Sequence, residues 1–133
     1  MAIPKESEAS IDLPVSTDVA WRLLGTAAGV DETAPGARWH LEHTDVVIDS
    51  ATPGEGAGGL GGWDGLEYRV SVHLVPRGAQ QTLLVLTADP GVEQHGPIAE
   101  LKAGASHRRA RRDLESLAAA VGRLVEDGGA GVG

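Results

Sequence analysis

Residues 103–124 read AGASHRRARRDLESLAAAVGRL, and two largely apolar rows run through them at seven-residue spacing. One row is Ala103, Ala110, Leu117 and Leu124; the other is His107, Leu114 and Val121. That spacing puts both rows on one face of an α-helix, as a stripe to be buried against another element. Pro97 suits the first helical position, and Gly128 and Gly129 offer a stop. A helix from Pro97 to Asp127 would be about 45 Å long at 1.5 Å per residue. Gly104 is a place where it could kink or split. Residues 128–133 are expected to be a disordered tail following a single domain over 1–127.

The partner for this stripe lies upstream. Leu66, Tyr68, Val70, Val72 and Leu74 alternate with Glu67, Arg69, Ser71 and His73, the period of a half-buried strand. A turn at Pro76-Arg77-Gly78-Ala79 leads into a second strand from Gln80 to Ala88, which makes an antiparallel hairpin. Ala9, Ile11 and Leu13 alternate in the same way, and Pro14 ends that strand. Ser16, Thr17 and Asp18 then offer capping side chains for a helix through Val19, Trp21 and Leu23, with Gly25 placed to terminate it. Residues 26–37 suggest a short helical turn and a loop. Arg38 to Ser50 reads as extended, one strand or two, because Val46, Val47 and Ile48 are β-branched. Residues 52–65 hold seven glycines and one proline and read as a flexible loop. The fold class expected is α+β: a curved antiparallel β-sheet gripping a long C-terminal α-helix.

Composition narrows the function. A chain of 133 residues fits one domain with an adequate core. It has no cysteine, which removes disulfides, thiolate metal sites and cysteine nucleophiles. The net charge of -8 disfavours nucleic acid and anionic membrane as partners. Phenylalanine is absent and the aromatics are Trp21, Trp39, Trp63 and Tyr68, too few for a base-stacking platform. No apolar run approaches the length of a membrane span. The reading is a cytoplasmic protein, monomer or homodimer, with no cofactor expected.

Ile11-Asp12-Leu13-Pro14-Val15-Ser16-Thr17-Asp18-Val19-Ala20-Trp21-Arg22-Leu23-Leu24 resembles the start of the START/Bet v 1-like (SRPBCC) superfamily, with its strand, turn and short tryptophan-bearing helix. Arg111-Arg112-Asp113-Leu114-Glu115-Ser116-Leu117 is similar to the terminal helix of that superfamily. The resemblance implies a helix-grip fold and an apolar small-molecule ligand held where helix and sheet diverge. It also implies two alternatives, a polyketide cyclase/dehydrase-like enzyme and an Hsp90-activator-like interaction module. The superfamily usually has six or seven strands, and four or five can be placed here. The shortfall falls at residues 52–65, which either hide a strand or form a lid.

The candidate ligand-binding residues follow from the small half of the helix stripe and the strand facing it: Ala103, His107 and Ala110 from the helix, Tyr68, Val70 and Val72 from the strand. Trp39 and Trp63 flank the loops, where they either close a pocket mouth or pack in the core. His40, Glu42, His43 and Asp45 invite a metal reading, but a strand sends His40 and His43 to opposite faces and no third ligand is in view; no metal is expected. The two G-x-G-x-x-G matches starting at Gly54 and Gly56 are followed by a strand, where a dinucleotide site needs a helix. Arg108, Arg109, Arg111 and Arg112 read as a solvated helix face.

Overall fold

The computed structural model describes residues 7–90 and 97–131, with side chains over 7–90 and 106–127. Six strands form one antiparallel sheet: β1 (Ser7–Leu13), β2 (Arg38–His40), β3 (Asp45–Thr52), β4 (Gly56–Trp63), β5 (Leu66–Gly78) and β6 (Gln81–Asp89). Their order across the sheet is β1-β6-β5-β4-β3-β2. The helix α1 (Thr17–Ala27) links β1 to β2, and α2 (Pro97–Gly131) follows β6. The expected helix-grip arrangement of sheet and terminal helix is present.

The glycine-rich stretch hides a strand. β4 pairs with β3 on one side and β5 on the other, so it is central in the sheet. Its glycines are there because neighbouring backbone comes too close for a side chain. A Cβ on Gly59 would lie 2.3 Å from the Val47 carbonyl oxygen, beside the bulge between Ile48 and Ser50. A Cβ on Gly56 would lie 2.5 Å from the Val72 carbonyl oxygen. The β4–β5 connection is Asp64-Gly65, with φ of 54° and 80°, between the Trp63–Leu66 pair. Two left-handed residues in a two-residue loop are what the right-handed strand twist requires.

Several expected boundaries move. α1 runs through Gly25, which is buried, and the left-handed glycine that ends it is Gly29 at φ 83°. Its start is as expected, with the Ser16 side chain accepting from the Val19 amide at 3.4 Å. No separate helical turn forms in 28–37; turn hydrogen bonds there lead directly into β2. Arg38 to Ser50 is two strands, joined by a turn in which the Leu41 amide donates to the Thr44 carbonyl. β5 continues through Pro76 to Gly78 by way of an irregularity, and the loop to β6 is only Ala79-Gln80. α2 runs unbroken past Gly104, and past Gly128 and Gly129, where a stop was expected.

The core lies between the inner sheet face and the two helices. Leu13, Trp39, Val46, Ile48, Trp63, Tyr68, Val70, Val72, Leu84 and Leu86 meet Ala110, Leu114, Leu117 and Val121 there. Small inner residues on β4 make room for the large rings. A Cβ on Gly61 would stand 3.0 Å from Val46 and 3.6 Å from the Trp63 ring. The buried stripe of α2 is turned slightly from the expected one: Leu124 and His107 are at its edge, and Ser106, Asp113, Ala118 and Val125 are inside it.

Gly59→Ala is expected to destabilise by about 3 kcal/mol or more, since backbone cannot step aside as a side chain can. Gly62→Ala, whose Cβ would meet nothing nearer than 3.6 Å, should stay within about 0.5 kcal/mol of the parent. Urea midpoints of the two variants check the contrast.

Candidate functional site

Two polar groups interrupt the apolar stripe of α2, seven residues apart. Ser106 is fully buried, and so is Asp113 at 1% exposure. Burial of polar atoms is tolerable only with hydrogen bonds, and each group finds them on the sheet side.

Ser106 bonds to the Tyr68 hydroxyl across the interface between β5 and α2. The Tyr68 ring is wholly buried, edge-on to Trp63 at 5.3 Å and edge-on to His107 at 5.7 Å between centroids. Ser7 of β1 closes the group. Its hydroxyl donates to the His107 carbonyl oxygen at 3.2 Å and lies 3.3 Å from the ring Nδ1. With the hydroxyl hydrogen so engaged, Nδ1–H donates to the serine oxygen, and Nε2 keeps the acceptor lone pair. Burial pushes the His107 imidazole below the ordinary 6.5, with the Asp89 charge opposing. Burial likewise pushes the Tyr68 phenol above 10, against the Ser106 hydrogen bond. Both groups are therefore neutral at pH 7: the phenol keeps its proton and the imidazole keeps a basic nitrogen.

Asp113 is tied more tightly. Its Oδ1 accepts from Nδ1 of His43 at 2.5 Å. Its Oδ2 accepts from the His43 amide at 2.9 Å and from the Trp63 indole at 2.9 Å. His43 sits in the β2–β3 turn, and its side chain is 31% exposed. Glu42 is exposed beside it and accepts from the Ser116 hydroxyl at 3.4 Å. One donor atom from each of Glu42, His43 and Asp113 lies within 4.8 Å of the others. A cavity of about 130 Å³ opens here, lined by His40, Glu42, Asp113, Ser116, Leu117 and neighbouring apolar residues. A larger open groove of about 840 Å³ crosses the outer sheet face over Gly56 and Gly58, between Ser50, Arg69, Ser71 and His73. Its cation is engaged, since Arg69 pairs with Asp49 at 2.6 Å.

The expected ligand-binding residues divide as follows. Tyr68, Val70, Val72 and Ala110 face one another across the interface and are all buried. His107 joins them at the edge, half-buried. The side chain of Ala103 lies outside the described residues. Trp39 and Trp63 stand at no mouth; both are packed in the core at 1% exposure, with the Trp39 indole donating to Thr33 at 3.2 Å. The arginines are exposed, Arg111 pairing with Glu115 at 3.5 Å and Arg109 with Asp64 at 3.4 Å. Sequence reasoning missed Ser106 and Asp113. The signal was available: Ser106, Ala110, Asp113 and Leu117 are spaced four, three and four, so both polar residues fall on the helix face to be buried.

No protein-family model matches the sequence, and no curated protein does. Solved structures match over nearly the whole chain. DynU16, from the dynemicin biosynthetic locus, superposes with a TM-score of 0.63 at 19% identity; 95% of this chain is covered, and the chain spans about half (49%) of that protein. The Zhui aromatase/cyclase from Streptomyces sp. R1128 gives 0.59 at 16% identity, covering 90% of this chain and 94% of that one. A START superfamily protein from Mycobacterium smegmatis gives 0.57 at 17% identity, covering 92% and 97%. At these identities the likeness is one of fold: the chain has the START-like helix-grip fold, as residues 11–24 and 111–117 suggested. Among the described residues no helix is long and apolar enough to cross a membrane.

Replacing Asp113 with alanine leaves the Trp63 indole and two His43 donors without their acceptor, and should cost about 3 kcal/mol. His43→Gln, at a partly exposed partner, should cost about 1 kcal/mol. Chemical denaturation of each variant measures both. For His107, a folded-state pKa below the unfolded value means that the unfolded chain binds the proton first. Its contribution to stability is therefore complete above about pH 6.5 and is lost as pH falls below it. The unfolding midpoint should drop between pH 7.5 and pH 5.5, and drop less in His107→Gln.

Proposed function

We propose that the protein binds a hydrophobic or aromatic small molecule between the sheet and α2, at the end marked by Tyr68 and His107. The observation that carries this reading is the convergence of Tyr68, Ser106, His107 and Ser7 inside an otherwise apolar interface. A few placed polar groups within an apolar lining are the usual composition of a small-molecule site. The fold supports the reading too, because a helix laid on a curved sheet leaves room wherever the two diverge. From Leu114 to Val125 the interface is filled by Leu114, Leu117, Val121 and Val125. The ligand would sit toward the N-terminal half of α2, where the sequence is small: Ala103, Gly104 and Ala105. A ligand hydroxyl or carbonyl would exchange hydrogen bonds with Tyr68 and His107, and its rings would lie against Val70 and Val72.

A second reading, a cyclase/dehydrase-like enzyme, is favoured by one specific feature. Tyr68 and His107 are two titratable groups in ring contact, one a proton donor and the other a neutral base. General acid–base work needs such a pair, placed within reach of the substrate. Binding is the broader claim, and turnover would require it.

Native mass spectrometry of freshly purified protein is expected to show a retained small molecule. Titration with polycyclic phenols such as naphthol should quench the emission of Trp63, whose ring touches Tyr68. Tyr68→Phe should weaken that binding about tenfold, the worth of one buried hydrogen bond. Titrations that leave the fluorescence unchanged, together with a protein free of any retained molecule, would remove both readings.

A further inference from the structure

We propose that Glu42, His43 and Asp113 form a binding site for one divalent first-row transition ion, for which zinc is the natural probe. The site lies in the β2–β3 turn and mid-α2, apart from the Tyr68–His107 group, and does not depend on the small-molecule reading.

Three observations carry the inference. The first is the donor set. An imidazole and two carboxylates from two distant parts of the chain bring one ligand atom each within 4.8 Å of the others. Zinc bonds of about 2.0–2.2 Å place tetrahedral donors roughly 3.4 Å apart, so small side-chain rotations close the site. Glu42 is exposed and tethered only by a long 3.4 Å bond from Ser116, which a rotation toward the ion would give up. The second is rigidity. Asp113 is held by the Trp63 indole and the His43 amide, and it fixes the His43 ring in turn. A bound ion would take the place of the proton between Asp113 Oδ1 and His43 Nδ1, while Oδ2 would keep its bonds to the Trp63 indole and the His43 amide. The third is electrostatic. Two carboxylates converge beside a low-dielectric core, and a divalent cation among them supplies the charge such a pair favours. The adjoining cavity of about 130 Å³ leaves room for water at a remaining coordination position. Three protein ligands and an open position are the pattern of a reactive metal centre, whereas a structural one is closed by four.

The test is zinc titration of tag-free protein by calorimetry, with melting temperature as a second readout. The expected result is one saturable site per chain and a melting temperature that rises with zinc. Glu42→Gln should leave the metal-free melting temperature unchanged and weaken zinc binding at least tenfold. His43→Gln should weaken it by at least as much, and His73→Gln, on the outer sheet face, should bind as the parent does. Absence of saturable binding at millimolar zinc would overturn the proposal. So would a site that survives both Glu42→Gln and His43→Gln, because the zinc would then be held elsewhere.

Discussion

A carboxylate buried to 1% exposure on a helix face can be tolerated only where donors meet it, and Asp113 collects three. Those donors come from the end of β4 and from the β2–β3 turn. The requirement therefore fixes where α2 lies relative to strands that are remote in sequence. Apolar contacts alone would fix this poorly, since hydrophobic burial is not directional. Leu114, Leu117 and Val121 would accept a helix shifted along its axis, whereas the Trp63 indole and the His43 turn would not. Removing the carboxylate leaves its donors buried, and removing a donor leaves a charge less compensated, so the group is held from both sides.

The Ser106–Tyr68 contact is a second pin, two helical turns away, or about 10.5 Å along the axis. Two directional contacts on one rigid helix determine both its rotation and its position. Between them lies Ala110, small enough for the Trp63 and Tyr68 rings to sit beneath the helix. Those rings need space on the sheet as well, and β4 provides it by carrying Gly59 and Gly61 where its neighbours carry Val70 and Tyr68. The glycine strand, the aromatic pair and the two polar pins thus form one packing solution. Its unusual composition, rich in glycine and without phenylalanine, follows from filling a small interface with a few large rings.

What could be read from the sequence was what repeats. The alternation in Leu66–Leu74 and the stripe in Ala110–Val121 give direct evidence of a buried face, and both faces are where periodicity puts them. β4 was illegible because three of its four inner residues are Ala57, Gly59 and Gly61, which carry almost no hydrophobic signal; Trp63 is the fourth, and the other large residue, Leu60, points outward. The Asp64-Gly65 turn was the usable clue, a standard hairpin dipeptide directly before the clearest strand. At the site, Tyr68 and His107 were legible as polar residues near a buried stripe. Asp113 was not, because an aspartate amid arginines looks like surface charge until the 3.6-residue period is applied to it. The His43–Asp113 contact was illegible because seventy residues of chain separate the two, and only the fold brings them together.

The same argument explains how far the likeness to other helix-grip proteins extends. What 16–19% identity preserves is the geometry of a curved sheet against a long helix, and many residue combinations satisfy that. Ligand chemistry depends on the few polar groups left inside, and these are free to change while the frame persists. Among the described residues of α2, two buried polar side chains, Ser106 and Asp113, gather polar groups around them, and the two gatherings differ in kind. The Tyr68–His107 group is neutral, with the Tyr68 ring wholly buried against the edges of Trp63 and His107. The Glu42–His43–Asp113 group carries two carboxyl groups and is open to solvent on one side. One helix therefore presents two chemically distinct environments, seven residues apart, joined by the Trp63 ring that touches Tyr68 and donates to Asp113.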